Sequence, residues 1–300
     1  MLFNRKVFIL LVSCLLFIYP VFGAPAVEPP GQQISDFSLV GYEDKGKKSW
    51  DISGKSADIF TEVVKLKDVN GNLYGANENV NLTAKKGDFN KEEGKVYLKE
   101  DVIITTSSGA KLTTDSMDWD RKNQLVRTED KVKINKDNID IVGTGAYGEP
   151  NLNKVALNKD VRVDINQASL TESADDSVFK DKVVITCDGP LEVDYSKNIA
   201  TFNNNVKVER ADLVIYSDKM DIFFNAENKA AKEAIHMQES MAGSIDKIIA
   251  KGNVRIVRGD NVSYSQEAIY TAKDKKIILN GRPQLVFYST EEFKDASFGN

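Results

Sequence analysis

The sequence predicts an all-β protein, a wound antiparallel sheet with one wet and one dry face, and three observations carry that prediction. First, β-branched runs alternate with turn residues that tolerate φ > 0, most clearly in Gly252-Asn253-Val254-Arg255-Ile256, Gly259-Asp260-Asn261 and Ile277-Ile278-Leu279-Asn280-Gly281, which read as strand, turn, strand. Second, a phrase made of an acidic residue, Asn or Lys, then Val, one residue, then Ile or Val, recurs along the chain. It stands at Asp101-Val102-Ile103-Ile104, Lys131-Val132-Lys133-Ile134, Asp160-Val161-Arg162-Val163, Lys182-Val183-Val184-Ile185, Asn205-Val206-Lys207-Val208 and Asn253-Val254-Arg255-Ile256. Counted on the first Val, the steps are 30, 29, 22, 23 and 48 residues, the last close to two short steps. An imperfect period with little helical content marks windings that bury their apolar faces only against neighbours. Third, alternate residues within a phrase suit opposite faces, as in Val206-Lys207-Val208-Glu209, whereas a strand covered on both faces would be apolar throughout.

Taken in order, the chain opens on Arg5 and Lys6, an apolar run over 7–22, then Gly23 and Ala24. That is the layout of an export signal. Sixteen residues at about 1.5 Å each span roughly 24 Å, short of a ~30 Å hydrocarbon core, so residues 1–24 read either as a cleaved signal or as an inner-membrane anchor helped by its flanks. Leu11-Val12-Ser13-Cys14 also imitates a lipoprotein box, but the apolar run continues past the cysteine. Residues 25–33, with three of the seven prolines, read as a tether. The sheet is expected to begin at Ile34 and to run in two similar tandem halves, 34–168 and 169–300, divided at the polar stretch 166–177. One helical or irregular insertion is expected at 226–243, where 226–239 is rich in Ala, Glu and Lys.

Composition narrows function. A formal charge of −5, more acidic once Arg5 and Lys6 leave with the leader, excludes a concentrated basic face and makes nucleic acid a poor partner. Past the leader only Cys187 remains, read as a small strand residue. The single histidine, His236, has no neighbour at ligand spacing. Asp68-Val69-Asn70-Gly71-Asn72 imitates a calcium loop but carries Leu73 and Asn79 at two defining positions, and pairs such as Asp118/Asp120 or Asp175/Asp176 are common by chance among 45 acids. No enzyme, cofactor or metal is therefore expected. Two classes fit a long dry β-surface in an exported protein: a carrier that shelters acyl chains, and a structural or adhesin-like envelope protein whose core is filled by its own side chains.

Phe37-Ser38-Leu39-Val40-Gly41-Tyr42-Glu43, followed by Trp50-Asp51-Ile52-Ser53-Gly54-Lys55-Ser56-Ala57, resembles the opening of the LptC family of lipopolysaccharide export. Thr113-Thr114-Asp115-Ser116-Met117-Asp118-Trp119-Asp120 and Asn123-Gln124-Leu125-Val126-Arg127-Thr128 resemble a later winding of that family. Gly252-Asn253-Val254-Arg255-Ile256 resembles the Gly-Asn-Val hallmark of the related LptA/OstA-like domain. The resemblance implies an elongated, V-shaped (taco-like) β-jellyroll behind an N-terminal hydrophobic helix. It implies a periplasmic carrier of lipopolysaccharide or a related glycolipid, driven by an inner-membrane ABC transporter and meeting an LptA-like or outer-membrane LptD-like protein. On that reading Val102, Ile104, Val132, Ile134, Val161, Val163, Val206, Val208, Val254 and Ile256 line the trough, with Phe202 and Tyr264 as gates. Phe37, Leu39, Leu285 and Phe287 mark open edges that add to neighbouring sheets.

Overall fold

The computed structural model describes residues 31–42, 46–75, 79–120, 123, 125–148, 154–166, 182–224, 245–274 and 276–287. The expected leader helix, the Asp175/Asp176 pair, His236 and the insertion at 226–243 lie outside them. Every element among the described residues is a strand: β1 (Gln32–Tyr42), β2 (Lys48–Ile59), β3 (Val63–Tyr74), β4 (Asn79–Asn90), β5 (Lys95–Thr106), β6 (Lys111–Asp120), β7 (Leu125–Lys136), β8 (Ile139–Gly148) and β9 (Lys154–Ile165). The chain continues through β10 (Val183–Cys187), β11 (Leu191–Asp194), β12 (Ile199–Arg210), β13 (Leu213–Phe224), β14 (Ile245–Arg258), β15 (Asn261–Thr271), β16 (Lys276–Asn280) and β17 (Gln284–Val286).

These strands form one 17-stranded sheet in which every pairing is antiparallel and sequence neighbours are sheet neighbours. Two rungs are split. β10 and β11 both lie between β9 and β12, and β16 and β17 both pair with β15. Pro190 and Pro283 sit at the two breaks, where a residue without an N–H cannot serve the ladder.

The recurring phrase marks the bend of a strand rather than its start. Asp101, Asp160, Asn205 and Asn253 hold φ of 55°, 54°, 51° and 45° in the middle of β5, β9, β12 and β14, a left-handed conformation that Asp and Asn tolerate best after Gly. Asp36 and Asp68 do the same in β1 and β3, and register shifts accompany the bend in β5, β12 and β14. A bulged left-handed residue turns the strand sharply. The following residue points into the bend, and Val102, Val161, Val206 and Val254, with Val132 at the corresponding place in β7, are only 0–2 % exposed. Since no helix among the described residues covers the sheet, a valine is buried so fully only if the sheet's two halves cover each other, and the bends divide the ladder into two arms around a shared interior.

The structure corrects the spacing. Val183 begins β10 and pairs with Ile165 and Arg210, away from any bend. The 22- and 23-residue steps are one step of two rungs, from β9 to β12, and the 48-residue step is likewise one, from β12 to β14.

Across the bend each deep residue faces a small one: Phe37 opposite Gly54, Val69 opposite Ala84, Val102 opposite Thr114, Val132 opposite Gly143, then Val161 opposite Cys187, Val206 opposite Ser217 and Val254 opposite Ser265. A close-packed corner admits one bulky side chain per pair. Cys187 thereby has its place, and burial pushes its thiol pKa up. The interior holds two buried apolar clusters, one from Phe37 to Met117 and one from Val132 to Ala268. Leu112 packs on both, and the buried Thr114 and Thr128 hydroxyls, 3.3 Å apart, stand between them.

Candidate functional site: an apolar strip between two open edges

One residue pair beyond the bend, a single inter-strand row crosses the whole ladder. Leu39 pairs with Ile52, Ile52 with Gly71, Gly71 with Leu82, Leu82 with Ile104 and Ile104 with Leu112. Leu112 pairs with Ile134, Ile134 with Ile141, Ile141 with Val163 and Val163 with Ile185. The row ends through Val208, Ile215, Ile256 and Ser263 at Leu285. At about 4.8 Å per strand its fifteen positions reach roughly 65 Å. Apart from Gly71 and Ser263 it is aliphatic throughout.

The expected lining residues divide between two levels. Val102, Val132, Val161, Val206 and Val254 lie at the bottom of the bend, closed over by their own neighbours. Ile104, Ile134, Val208 and Ile256 stand one step up on the strip and are only partly buried against the clusters; Val163 on the same strip is buried. Phe202 lies in the other arm, 4 % exposed, paired with Leu191 and Met220.

Two expectations need correction. Tyr264 stands on the face of β15 opposite to buried Ser265, 43 % exposed, paired with Arg255. The register that sends Ser265 inward sends Tyr264 outward, so it is no gate of the interior. Phe37 is not an edge side chain: it plugs the bend of β1, buried against Gly54, where a Cβ would come within 2.7 Å of the Phe37 ring and 2.8 Å of the Lys67 carbonyl oxygen. That is why the Trp50-Asp51-Ile52-Ser53-Gly54 segment ends in Gly.

β1 pairs with β2, and β16 and β17 pair with β15, with no described strand beyond either. Leu39 and Leu285, the two ends of the strip, are 56 % and 53 % exposed. Phe287 is exposed beside Val286. Val40, Tyr42, Ile277 and Ile278 are further exposed apolar residues of the two edges; their signal was position next to an unpaired strand, which no local pattern reveals.

On the outer face, Asp51 receives Lys48 Nζ at 2.6 Å, Asn72 Nδ2 at 2.8 Å and the Tyr74 hydroxyl at 2.7 Å. The Lys48 contact, followed by those two donors, holds its pKa down at about 2. Asp164 is lowered by the paired Arg162 bonds, 2.8 Å each, and by Lys182. Asp118 faces Arg127 at 3.5 Å. These carboxylates are spoken for by cations and amides. In the Gly-Asn-Val segment, Gly252 holds φ 75°, a side chain there would overlap the Asp218 carboxylate, and Asn253 Nδ2 donates to Asp218 at 2.9 Å. No cluster of three His, Cys, Asp or Glu residues able to hold a metal occurs among the described residues. No helix among them is long and apolar enough to cross a membrane.

A bent sequential ladder with a dry strip inside and an open strand at each end defines an elongated β-jellyroll. The family model for lipopolysaccharide assembly, LptC-related, matches residues 7–166, more than half of the 300-residue chain, and the chain belongs to that family. A second model, LptA/(LptD N-terminal domain) LPS transport protein, matches residues 189–296. The two together place the chain in lipopolysaccharide transport, among partners of that system. Compared with curated proteins, the chain finds no match. The strip crosses the junction of the two matched regions without a break, from Val163 in β9 through Ile185 in β10 to Val208 in β12.

Proposed function

We propose that the chain is a non-enzymatic periplasmic carrier and bridge that holds the acyl chains of lipopolysaccharide on this strip while the sugars stay in water. The observation that carries the reading is continuity: an aliphatic row from Leu39 to Leu285, shared by an LptC-like and an LptA-like region that are already hydrogen-bonded to each other. At about 0.8 kcal/mol per buried methylene, a chain of a dozen carbons gains on the order of 10 kcal/mol from such shelter. Residues 34–168 and 169–300 are then two modules of one ladder. β1 and the β16/β17 rung extend it by strand addition, the first toward an inner-membrane ABC transporter, the second toward an LptA-like or outer-membrane LptD-like partner. The LptC-related match takes in the apolar run 7–22, which favours a retained inner-membrane anchor.

The fully closed bend favours self-filled packing at the bottom, so the cargo lies on the upper row. A photo-crosslinker at Ile134 and at Ile256 is expected to capture lipopolysaccharide during ATP-driven export, and one at outward Tyr264 is not. Equal capture at Tyr264, or none at either isoleucine while export proceeds, would defeat the carrier reading and leave the self-filled envelope protein.

A further inference from the structure

The row nearest the mouth of the same arm, two residues beyond the strip, changes character along the ladder. Toward the amino terminus it is apolar, with Trp50, Leu73 and Val80 paired in sequence. Ile139, Ile165 and Val183 continue it across the junction. Val183 then pairs with Arg210, Arg210 with Leu213, and Leu213 with Arg258. Both arginines follow the inward parity of their strands, Val206-Val208-Arg210 in β12 and Val254-Ile256-Arg258 in β14, where alternate residues share a face. Lys136, at the end of β7, is the other cation of this row among the described residues.

An inward arginine, like Lys136, departs from the apolar-in alternation of the row below it. A long guanidinium stem lies along apolar surface while its head stays at the water line, and its forked donors fit a phosphate or carboxylate. Arg210 and Arg258 are two strands apart, about 10 Å, and stand about 7 Å above the strip residues Val208 and Ile256. Arg258 Nε reaches Asp212 at 3.3 Å, but both side chains are largely exposed, so that pair is worth little and leaves the outer donors for an anion.

We propose that Arg210 and Arg258 form an anion-reading lip over the carboxy-terminal part of the strip, which grips the phosphate or carboxylate carried by a lipid whose acyl chains lie on Val208, Ile215 and Ile256. The inference rests on the carrier reading and adds a headgroup site to it. The cargo is then seated more firmly in the carboxy-terminal region than over the apolar lip of the amino-terminal one.

The test uses the full chain, unchanged and as Arg210→Gln/Arg258→Gln, against lipopolysaccharide before and after enzymatic removal of its phosphates. Unchanged protein is expected to prefer the phosphorylated form, and the double variant to lose about tenfold in affinity for it while binding the dephosphorylated form as before. The preference should fade as salt is raised. Equal binding of both forms by the unchanged protein, or equal weakening of both in a variant whose melting temperature is unaltered, would overturn the lip while leaving the carrier intact. Failure of both forms to bind would remove the carrier reading and the lip with it. Inorganic phosphate added alone distinguishes the source of the anion: displacement of bound lipid at low millimolar concentration would mean a free-anion site and would also overturn the proposal.

Discussion

Gly54→Ala and Gly71→Ala are the same change on adjacent strands, both on the inner face, and the structure gives them opposite signs. At Gly54 the new methyl meets the Phe37 ring at 2.7 and 2.9 Å and the Lys67 carbonyl oxygen at 2.8 Å. The ring belongs to an edge strand and yields; the carbonyl belongs to β3, inside the ladder, and does not. Overpacking of this kind costs about 1–3 kcal/mol. At Gly71 the nearest atoms stand at 3.7 Å, ordinary contact, and losing a glycine from a strand gains roughly 0.5–1 kcal/mol. The gain from losing a glycine is common to both variants, so their urea unfolding should differ by the overpacking cost, about 1–3 kcal/mol, with Gly71→Ala the more stable. Phe37→Leu added to Gly54→Ala should recover only part of the loss, because the Lys67 carbonyl remains. Equal unfolding midpoints, or Gly54→Ala above Gly71→Ala, would refute the account of the bend as a corner with room for one side chain.

Acid titration addresses Asp51. Its folded pKa of about 2 lies below the ordinary 3.8, so its stabilising contribution is complete above the unfolded value and is lost as pH falls from near 4 through about 2. Asp51→Asn should flatten that part of the stability profile, and an unchanged acid limb would count against the Lys48–Asn72–Tyr74 cage. Leu285→Asp and Phe287→Asp should weaken assembly with the outer partner in a pull-down while leaving the melting temperature nearly unaltered; a loss of stability alone would mean that these side chains serve the fold and not docking.

Periodicity and face alternation made the all-β ladder legible, because these are local properties of pattern, whereas the edges were read only from being first and last in the chain. The bend was hidden. Asp101-Val102 and Asn253-Val254 look like a turn residue before a strand, and only the pairing on both sides shows a left-handed residue inside one. Val183 fitted the phrase by composition and failed by position, since nothing local distinguishes a strand's first valine from its middle one. Tyr264 went astray because its facing is decided across the Gly259-Asp260 turn by the pairing of Val254 with Ser265. The strip itself is nonlocal: each of its members comes from a different strand, and it exists only once the register of every pair is fixed.

The one-large, one-small pairing along the bend has a mechanical consequence. Phe37 aside, the bulky member is always valine and its partner never exceeds threonine, so the corner keeps a constant gauge from one rung to the next. On the carrier reading, an acyl chain lying above it meets a nearly identical corner every second strand, about 9.6 Å apart, while the row itself is deepest at Val163 and Ile185, where the two matched regions join. On that reading the corner is an even rail beneath the chain, and any preferred resting place along it is set by the buried middle of the row and by the lip above it, not by the corner.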